Sequence, residues 1–355
     1  MVADPQIAGL RLMPVTGLSA RAVGVRDVAA RAGVSRQTVS RVLNEHPDVA
    51  PETRERVLAA VDELGYRMNN VARALGTRRS RTIGVLAQAA LHYGPSRSIE
   101  AIESAARAAG YWVSAVFADS AGEDTVREAI EHLLGQGVDG LVVVAPHART
   151  LRTLDAMDIG IPTVTLHSAG RDGAGRDGAG REGRGLAVDQ VAGARLATGC
   201  LADAGHSRIA HLAGPTDWLE AEARQAGFAQ ELAERGLAPG PVLPGDWTAR
   251  SGHAAAAVVA ASDVTAVFSA NDQMALGLLG GLRELGIRVP DDISVVGFDD
   301  VPDAAYYEPA LTTVRQDFAE LARLAVARLV DAGADAAEPV APVLVRRASV
   351  APPTR

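Results

Sequence analysis

Between residues 25 and 64 the apolar residues recur every three or four positions, the spacing of one face of a helix, in three short segments broken by turn signals. The first, 26–32, sets Val28, Ala29 and Ala32 on one side, and Gly33 follows where a sharp turn needs a left-handed backbone. Ser35 stands where it caps a second helix, 36–43, with Val39, Val42 and Leu43 inward and Arg36, Gln37, Ser40 and Arg41 outward. Pro51 opens a third, 52–64, striped by Val57, Leu58, Val61 and Leu64. Two short helices joined by a Gly-containing turn and closed by a third make the helix-turn-helix plan.

From residue 82 the pattern changes. Short β-branched runs at 82–86, 113–117, 140–144, 163–166, 209–212, 266–269 and 294–297 alternate with Ala-rich helical stretches. Strand and helix taking turns predict an α/β body of parallel sheets covered by helices. Such sheets bind ligands beyond the carboxyl ends of their strands, so the loops holding Pro215, Asn271 and Asp299 are where function is expected.

Charge sharpens the division. The 355 residues are 48% hydrophobic and 22% charged, which suits a soluble globular chain of two or three domains and excludes disordered or fibrous classes. All 35 basic residues are Arg, against 43 acidic ones; residues 21–81 carry 12 Arg and 7 acids, a balance of +5, so the remainder holds -13 of the net -8. A basic module on an acidic body is the charge distribution of a nucleic-acid contact attached to something else. The outward residues of the second helix have the chemistry for it: Gln pairs with adenine, Arg with guanine, and Ser or Thr with phosphates. A solvated helix face has the same residues, so the stripe alone leaves both readings open.

The single cysteine, Cys200, has no partner for an intramolecular disulfide and reads as a small buried hydrophobe. No apolar run approaches the roughly 18 residues of a membrane span, and residues 1–22 lack the apolar core and cleavage site of a secretory signal. A cytoplasmic location is expected, with 1–22 a disordered extension. The string GAGRDG at 173–178 and its near copy at 178–183 match the dinucleotide pattern literally. Both lie in a five-residue repeat too glycine-rich to open a helix, so 171–185 reads as a flexible insertion and no cofactor is expected.

The run 25–44 (VRDVAARAGVSRQTVSRVLN), with 51–56 (PETRER) and 64–66 (LGY), resembles the DNA-binding headpiece of the lactose/galactose repressor (LacI/GalR) family. The resemblance implies DNA contacts from Ser35, Arg36, Gln37, Thr38, Ser40, Arg41 and Asn44. It continues through 69–76 (NNVARALG), in the family a hinge helix that folds when two subunits lie together on an operator. Asn69, Ala72 and Leu75 would then touch DNA, Leu75 as a wedge opening a base step in the minor groove. Without the family, Leu75 is one apolar residue in an Arg-rich linker, and packing against the body would also explain it.

The body resembles the same family in 212–215 (LAGP), 245–248 (GDWT), 270–277 (ANDQMALG), 292–300 (DISVVGFDD) and 311–318 (LTTVRQDF), most closely its lactose-responding members. The implied fold is two periplasmic-binding-protein-like subdomains with an effector between them and three chain crossings. This places the headpiece at 23–68, the hinge helix and linker at 69–81, the N-subdomain at 82–184 plus 316–344, and the C-subdomain at 185–315 plus 345–355.

The implied sugar-binding residues are Leu91, Pro95, His167, Arg224, Trp247, Asn271, Asp299, Gln316 and Phe318. Arg, Asn, Gln and Asp suit sugar hydroxyls, which donate and accept, while an aromatic ring covers the apolar face of the sugar. Taken singly, Asp299 equally suits a turn, Asn271 a helix start and Trp247 a core. Residues 91–96 (LHYGPS) resemble the family's first cleft loop with one extra residue, and His167 stands where lactose-responding members carry Asp, which changes the favoured hydroxyl.

The expected protein is thus a non-enzymatic, homodimeric transcriptional repressor whose partners are operator DNA and a galactoside-like sugar that controls operator affinity, with a co-repressor-dependent regulator of the same family as the alternative, and without a membrane. A solute-binding protein for a transporter has no use for a helix-turn-helix. A nicotinamide enzyme needs a phosphate-binding turn after the first strand, where 83–88 (IGVLAQ) offers one glycine, and no catalytic constellation is evident.

Overall fold

The computed structural model describes residues 23–43, 46–66, 79–118, 122–144, 147–167, 185–238, 240–331 and 338–354. The chain divides into two compact units, Met1–Arg78 and Arg79–Arg355. All of the glycine-rich insertion but its last residue, Gly185, lies outside the described residues, as do the hinge segment with Asn69, Ala72 and Leu75, and Asn44.

In the first unit, helix α1 (Val25–Ala32) begins where the Asp27 carboxylate accepts the Gly24 N–H at 2.8 Å, and it ends at Gly33 with φ +64°. Helix α2 (Arg36–Leu43) starts where Ser35 Oγ accepts the Thr38 N–H at 3.0 Å. Helix α3 (Pro51–Leu64) opens on its proline. Val28, Ala29, Ala32, Val39, Val42, Val57 and Ala60 make the core. The expected stripe is corrected at Leu58, which is 46% exposed, while Leu43, Val61 and Leu64 are half-buried and Ala60 is inside. Successive residues turn about 100° around a helix, so Leu58 leaves the face that Val57 and Ala60 share.

The second unit holds two parallel sheets. The first, in order β2-β1-β3-β4-β5, comprises β1 (Thr82–Gln88), β2 (Trp112–Ala118), β3 (Gly140–Val144), β4 (Thr163–Leu166) and β5 (Gly185–Leu186). Its helices are α4 (Tyr93–Ala108), α5 (Glu123–Gly135) and α6 (Ala148–Asp155). The wholly buried β3, GLVVV, shows why these runs are continuously apolar: helices cover both faces. Gly185 and Leu186, assigned from sequence to the second subdomain, pair with β4 instead.

The second sheet, β7-β6-β8-β9, comprises β6 (Ile209–Leu212), β7 (Val242–Leu243), β8 (Ala266–Ser269) and β9 (Ser294–Val296). Around it lie α7 (Gln190–Asp203), α8 (Leu219–Glu234), α9 (Ala249–Ala260) and α10 (Asp272–Glu284). Strand β10 (Thr313–Arg315) pairs antiparallel with β11 (Val343–Val345), and α11 (Phe318–Val330) between them packs into the core of the first sheet through Leu321, Ala322, Ala325 and Val326. The chain therefore passes between the lobes three times: from β5 to α7, from β10 to α11, and from α11 to β11. Two of these crossings are bonded together, Asp189 N–H to Val340 O at 2.9 Å and Val340 N–H to Ala187 O at 2.8 Å.

Candidate functional site

The carboxyl ends of both sheets face one cavity of roughly 700 Å³, open mouth included. Beyond β6 the loop turns into α8, which carries Arg224; beyond β8 comes Asn271, the cap of α10; beyond β9 comes Asp299. The facing lobe contributes Pro95, Val144, Leu166, Phe318 and Leu321, so one wall is polar and the other largely apolar.

The polar wall is internally bonded. Arg224 Nε donates to Gln190 Oε1 at 2.8 Å, and Gln190 Nε2 donates to Gln316 Oε1 at 2.7 Å. Gln316 Nε2 donates to Asp299 Oδ1 at 2.7 Å, and that oxygen lies 3.6 Å from the Arg224 guanidinium, which closes a ring of four buried side chains. Arg224 also donates to Ala270 O, and its guanidinium lies 3.9 Å from the Phe298 ring centre.

Burial dominates the electrostatics. It pushes the Asp299 carboxyl up to about 6 although the Arg224 charge and the Gln316 bond pull the other way. Burial likewise holds Arg224 below its usual value, partly offset by Asp299. Asp272 beneath them is raised well above the carboxylate range by burial and then by the Asp299 charge, while it accepts the Thr313 hydroxyl at 2.6 Å and the Val301 N–H at 2.9 Å. Asp300 accepts from Arg315 and Arg347 at 2.6 Å each.

Trp247 is 6% exposed with φ +70°, a left-handed conformation that costs a large side chain about 1–3 kcal/mol. Asn271 holds it there: Nδ2 donates to Trp247 O at 3.1 Å while Oδ1 accepts the Met274 N–H at 2.9 Å. The helix-start and core alternatives for these two residues are thus realised together with their place in the cavity wall. A Cβ on Gly214 would lie 2.2 Å from the Trp247 ring, so that position admits only glycine. Among the described residues the buried Trp247 indole Nε1 meets no hydrogen-bond acceptor, and an unsatisfied buried donor costs about 1–3 kcal/mol. Trp218 meets Trp247 edge-on at 5.5 Å, and His92 and His147 meet Trp218 at 5.2 and 5.3 Å.

Of the nine residues expected around a sugar, Pro95, His167, Arg224, Trp247, Asn271, Asp299, Gln316 and Phe318 line the cavity. Leu91 does not: it is fully exposed. The loop turns at Ala89, with φ +50° and its carbonyl accepting the His92 N–H at 2.9 Å, so Leu91 forms the tip and His92, Tyr93 and Gly94 face inward. Sequence reasoning also missed Gln190 and Trp218. Trp218, an aromatic residue in the loop after LAGP, was findable; Gln190 was not, because it follows a strand only two residues long.

On the first unit, Ser35, Arg36, Gln37, Ser40 and Arg41 are exposed on the side of α2 opposite Val39 and Val42. Thr38 is half-buried, its hydroxyl 2.9 Å from that of Ser35. Among the described residues no cluster of three His, Cys, Asp or Glu suits a metal, and no helix is long and apolar enough to cross a membrane.

Residues 24–69 match the family model of bacterial regulatory proteins, lacI family, and residues 198–350 that of the periplasmic binding protein-like domain. The lactose operon repressor of Escherichia coli (strain K12) is 36% identical over 311 residues, 87% of this chain and 84% of that protein. The transcriptional regulator GalS of Salmonella typhimurium is 37% identical over 339 residues, 93% of this chain and 97% of that protein. The solved lac repressor dimer bound to operator and the anti-inducer ONPF superposes with a TM-score of 0.83 at 34% identity, over 93% of this chain and 100% of that one. A CelR–cellobiose complex superposes with a TM-score of 0.63 at 32% identity, over 92% and 99%.

Proposed function

The chain belongs to the lacI family of bacterial regulatory proteins, a ligand-responsive repressor that binds DNA, and from that membership we propose that it is a homodimer which releases its operator when a galactoside-like sugar occupies the cavity. The observation that carries this reading is the polar wall built on Arg224, Asp299 and Gln316 beside Trp247. The guanidinium fork bridges two vicinal hydroxyls, the Asp299 carboxylate accepts a third, and an indole covers the sugar's apolar face. Pro95, Leu166 and Phe318 opposite exclude water once the lobes close, and a sugar held by both walls binds the closed arrangement better than the open one.

Exposed Arg36, Gln37 and Arg41 read base edges, with Ser35, Thr38 and Ser40 on the backbone. For the homodimer, edge strand β2 exposes Trp112 at 63% and Phe117 at 61%, and Leu276 and Tyr306 are 44% and 87% exposed; a second copy covers these faces. A bacterial repressor that binds DNA works in the cytoplasm.

A thermal-shift panel of galactose, lactose, alkyl galactosides and cellobiose tests the ligand, followed by titration of each hit against an operator selected from random duplexes. Galactosides that stabilise the protein and weaken operator binding are expected. Stabilisation by cellobiose alone overturns the galactoside assignment, and a hit that tightens operator binding makes the sugar a co-repressor.

A further inference from the structure

Gln190 has a position that the sugar site alone does not explain. It is the first residue of α7, immediately after the β5-to-α7 crossing, and its neighbour Asp189 caps that helix by accepting the Ala192 N–H at 2.8 Å. Gln316 lies in the β10-to-α11 crossing, one residue after β10 and just before Asp317, which caps α11. Their side chains meet at 2.7 Å, although 126 positions separate them, and both are more than nine-tenths buried. Gln190 Nε2 also donates to Val188 O at 3.2 Å, in the stretch where Ala187 and Asp189 are bonded to Val340 of the third crossing. Gln190 Oε1 accepts from Arg224 and Gln316 Nε2 donates to Asp299. One pair of amides therefore joins two of the crossings to the two charged groups of the cavity, and the backbone bonds of Ala187 and Asp189 to Val340 tie in the third.

We propose that Gln190 is a positioning residue that ties the cavity to the hinge, so that any displacement of Arg224 is passed through Gln190 and Gln316 to the crossing segments. The role rests on reading the cavity as the effector site, yet its mechanics hold without a ligand. Both amide protons of Gln190 and its oxygen are engaged, so moving the guanidinium obliges the amide either to follow or to leave a buried group unpaired. An apolar side chain of equal length leaves the crossings packed but unconnected.

The test uses the full chain without sugar and reads amide hydrogen exchange at Asp189 and Val340, the two N–H groups bonded between crossings. Arg224→Met is expected to speed exchange there about tenfold, since one lost buried hydrogen bond of about 1.4 kcal/mol shifts a local opening equilibrium by that factor. In a Gln190→Met background the same change is expected to add less than twofold. An undiminished Arg224→Met effect in that background overturns the proposal. Exchange at Val259 in α9, outside the ring, reads the general loss of stability that removing Arg224 also causes, and an acceleration at Asp189 and Val340 that vanishes once this loss is subtracted overturns the proposal too. If a galactoside is found, the factor by which it weakens operator binding should fall towards one in Gln190→Met and in Gln316→Met, and no further in the double variant. Additive losses overturn the shared linkage. A failed sugar panel refutes the galactoside reading and leaves the exchange result decisive.

Discussion

The headpiece and the cavity both present arginine and glutamine, and they hold them in opposite ways. Arg36, Gln37 and Arg41 stand exposed on α2, ordered only by the helix beneath them. Arg224, Gln190 and Gln316 are buried and bonded to one another before any ligand arrives. In the first case the cost of desolvating and ordering the side chains falls on DNA binding; in the second it is met during folding. The recognition face therefore tolerates substitution without unfolding, whereas the cavity's polar groups are part of the core.

The largest effect that separates the two regions is expected from Arg224→Ala. It strands the Asp299 carboxylate in a buried site, and breaking such a pair costs about 3–5 kcal/mol of stability, moderated here because Asp299 takes up a proton. Sugar affinity should fall by about ten- to a hundredfold, from the loss of hydrogen bonds to a charged group. Urea unfolding and calorimetry measure the two losses, and effector-free operator affinity should stay at the wild-type value. Loss of operator binding would assign Arg224 a structural role and erase the contrast.

Acidity provides the second test. Asp299 titrates near 6 in the folded protein against 3.8 ordinarily, so the native state holds this proton more tightly than the unfolded one. Stability therefore falls as pH rises through the window from 3.8 to 6, by a total of about 3 kcal/mol, and the full penalty remains above 6. Sugar hydroxyls that donate to the charged carboxylate offset that penalty. Sugar affinity should then rise with pH through about 6, with protons released on binding and seen as buffer-dependent heat. Asp299→Asn should abolish both the release and the pH dependence; protons still released from that variant would place the titration elsewhere.

The same contrast explains what was legible in the sequence. The headpiece is written in local signals, Gly33 at the turn, Ser35 at the cap and Pro51 at a helix start, each acting within a few residues of itself. In the body the longer strands are visible as β-branched runs, but β5 and β7 have two residues each and no periodicity to detect. The Gln190–Gln316 bond spans 126 positions, and neither residue carries a local mark of its partner. Eight of the nine sugar-site residues inferred by resemblance line the cavity because the strand-end loops keep their motifs. The ninth missed by one position, at a turn whose shape depends on the positive φ of Ala89.

A smaller effect is expected on the recognition face. Gln37→Ala removes an exposed side chain, so thermal stability should stay within about 0.5 kcal/mol of wild type. Operator binding should weaken by about 1–3 kcal/mol with relaxed preference at one base pair, read from a selected-site logo and a titration. An unchanged logo would show that Gln37 touches backbone or solvent instead.

The smallest difference lies between two adjacent residues of the first cleft loop. Leu91 is fully exposed at the tip of the turn, so replacing it removes no buried area and no cavity contact. His92 lies against the cavity, its ring 5.2 Å from Trp218 and edge-on to it, and burial lowers its affinity for a proton, so it packs as a neutral aromatic group at neutral pH. An aromatic pair of this kind contributes about 0.5–1.5 kcal/mol beyond its buried area. Leu91→Ser should therefore leave stability and sugar affinity within about 0.5 kcal/mol of wild type, whereas His92→Ala should weaken both by about 1 kcal/mol. The two variants differ by one position in the chain and share the same loop, so a general effect of loop mobility would move both alike. Isothermal titration and urea unfolding of the pair make the comparison. A loss confined to Leu91→Ser would restore the register read from sequence and would mean that the turn at Ala89 opens when sugar binds.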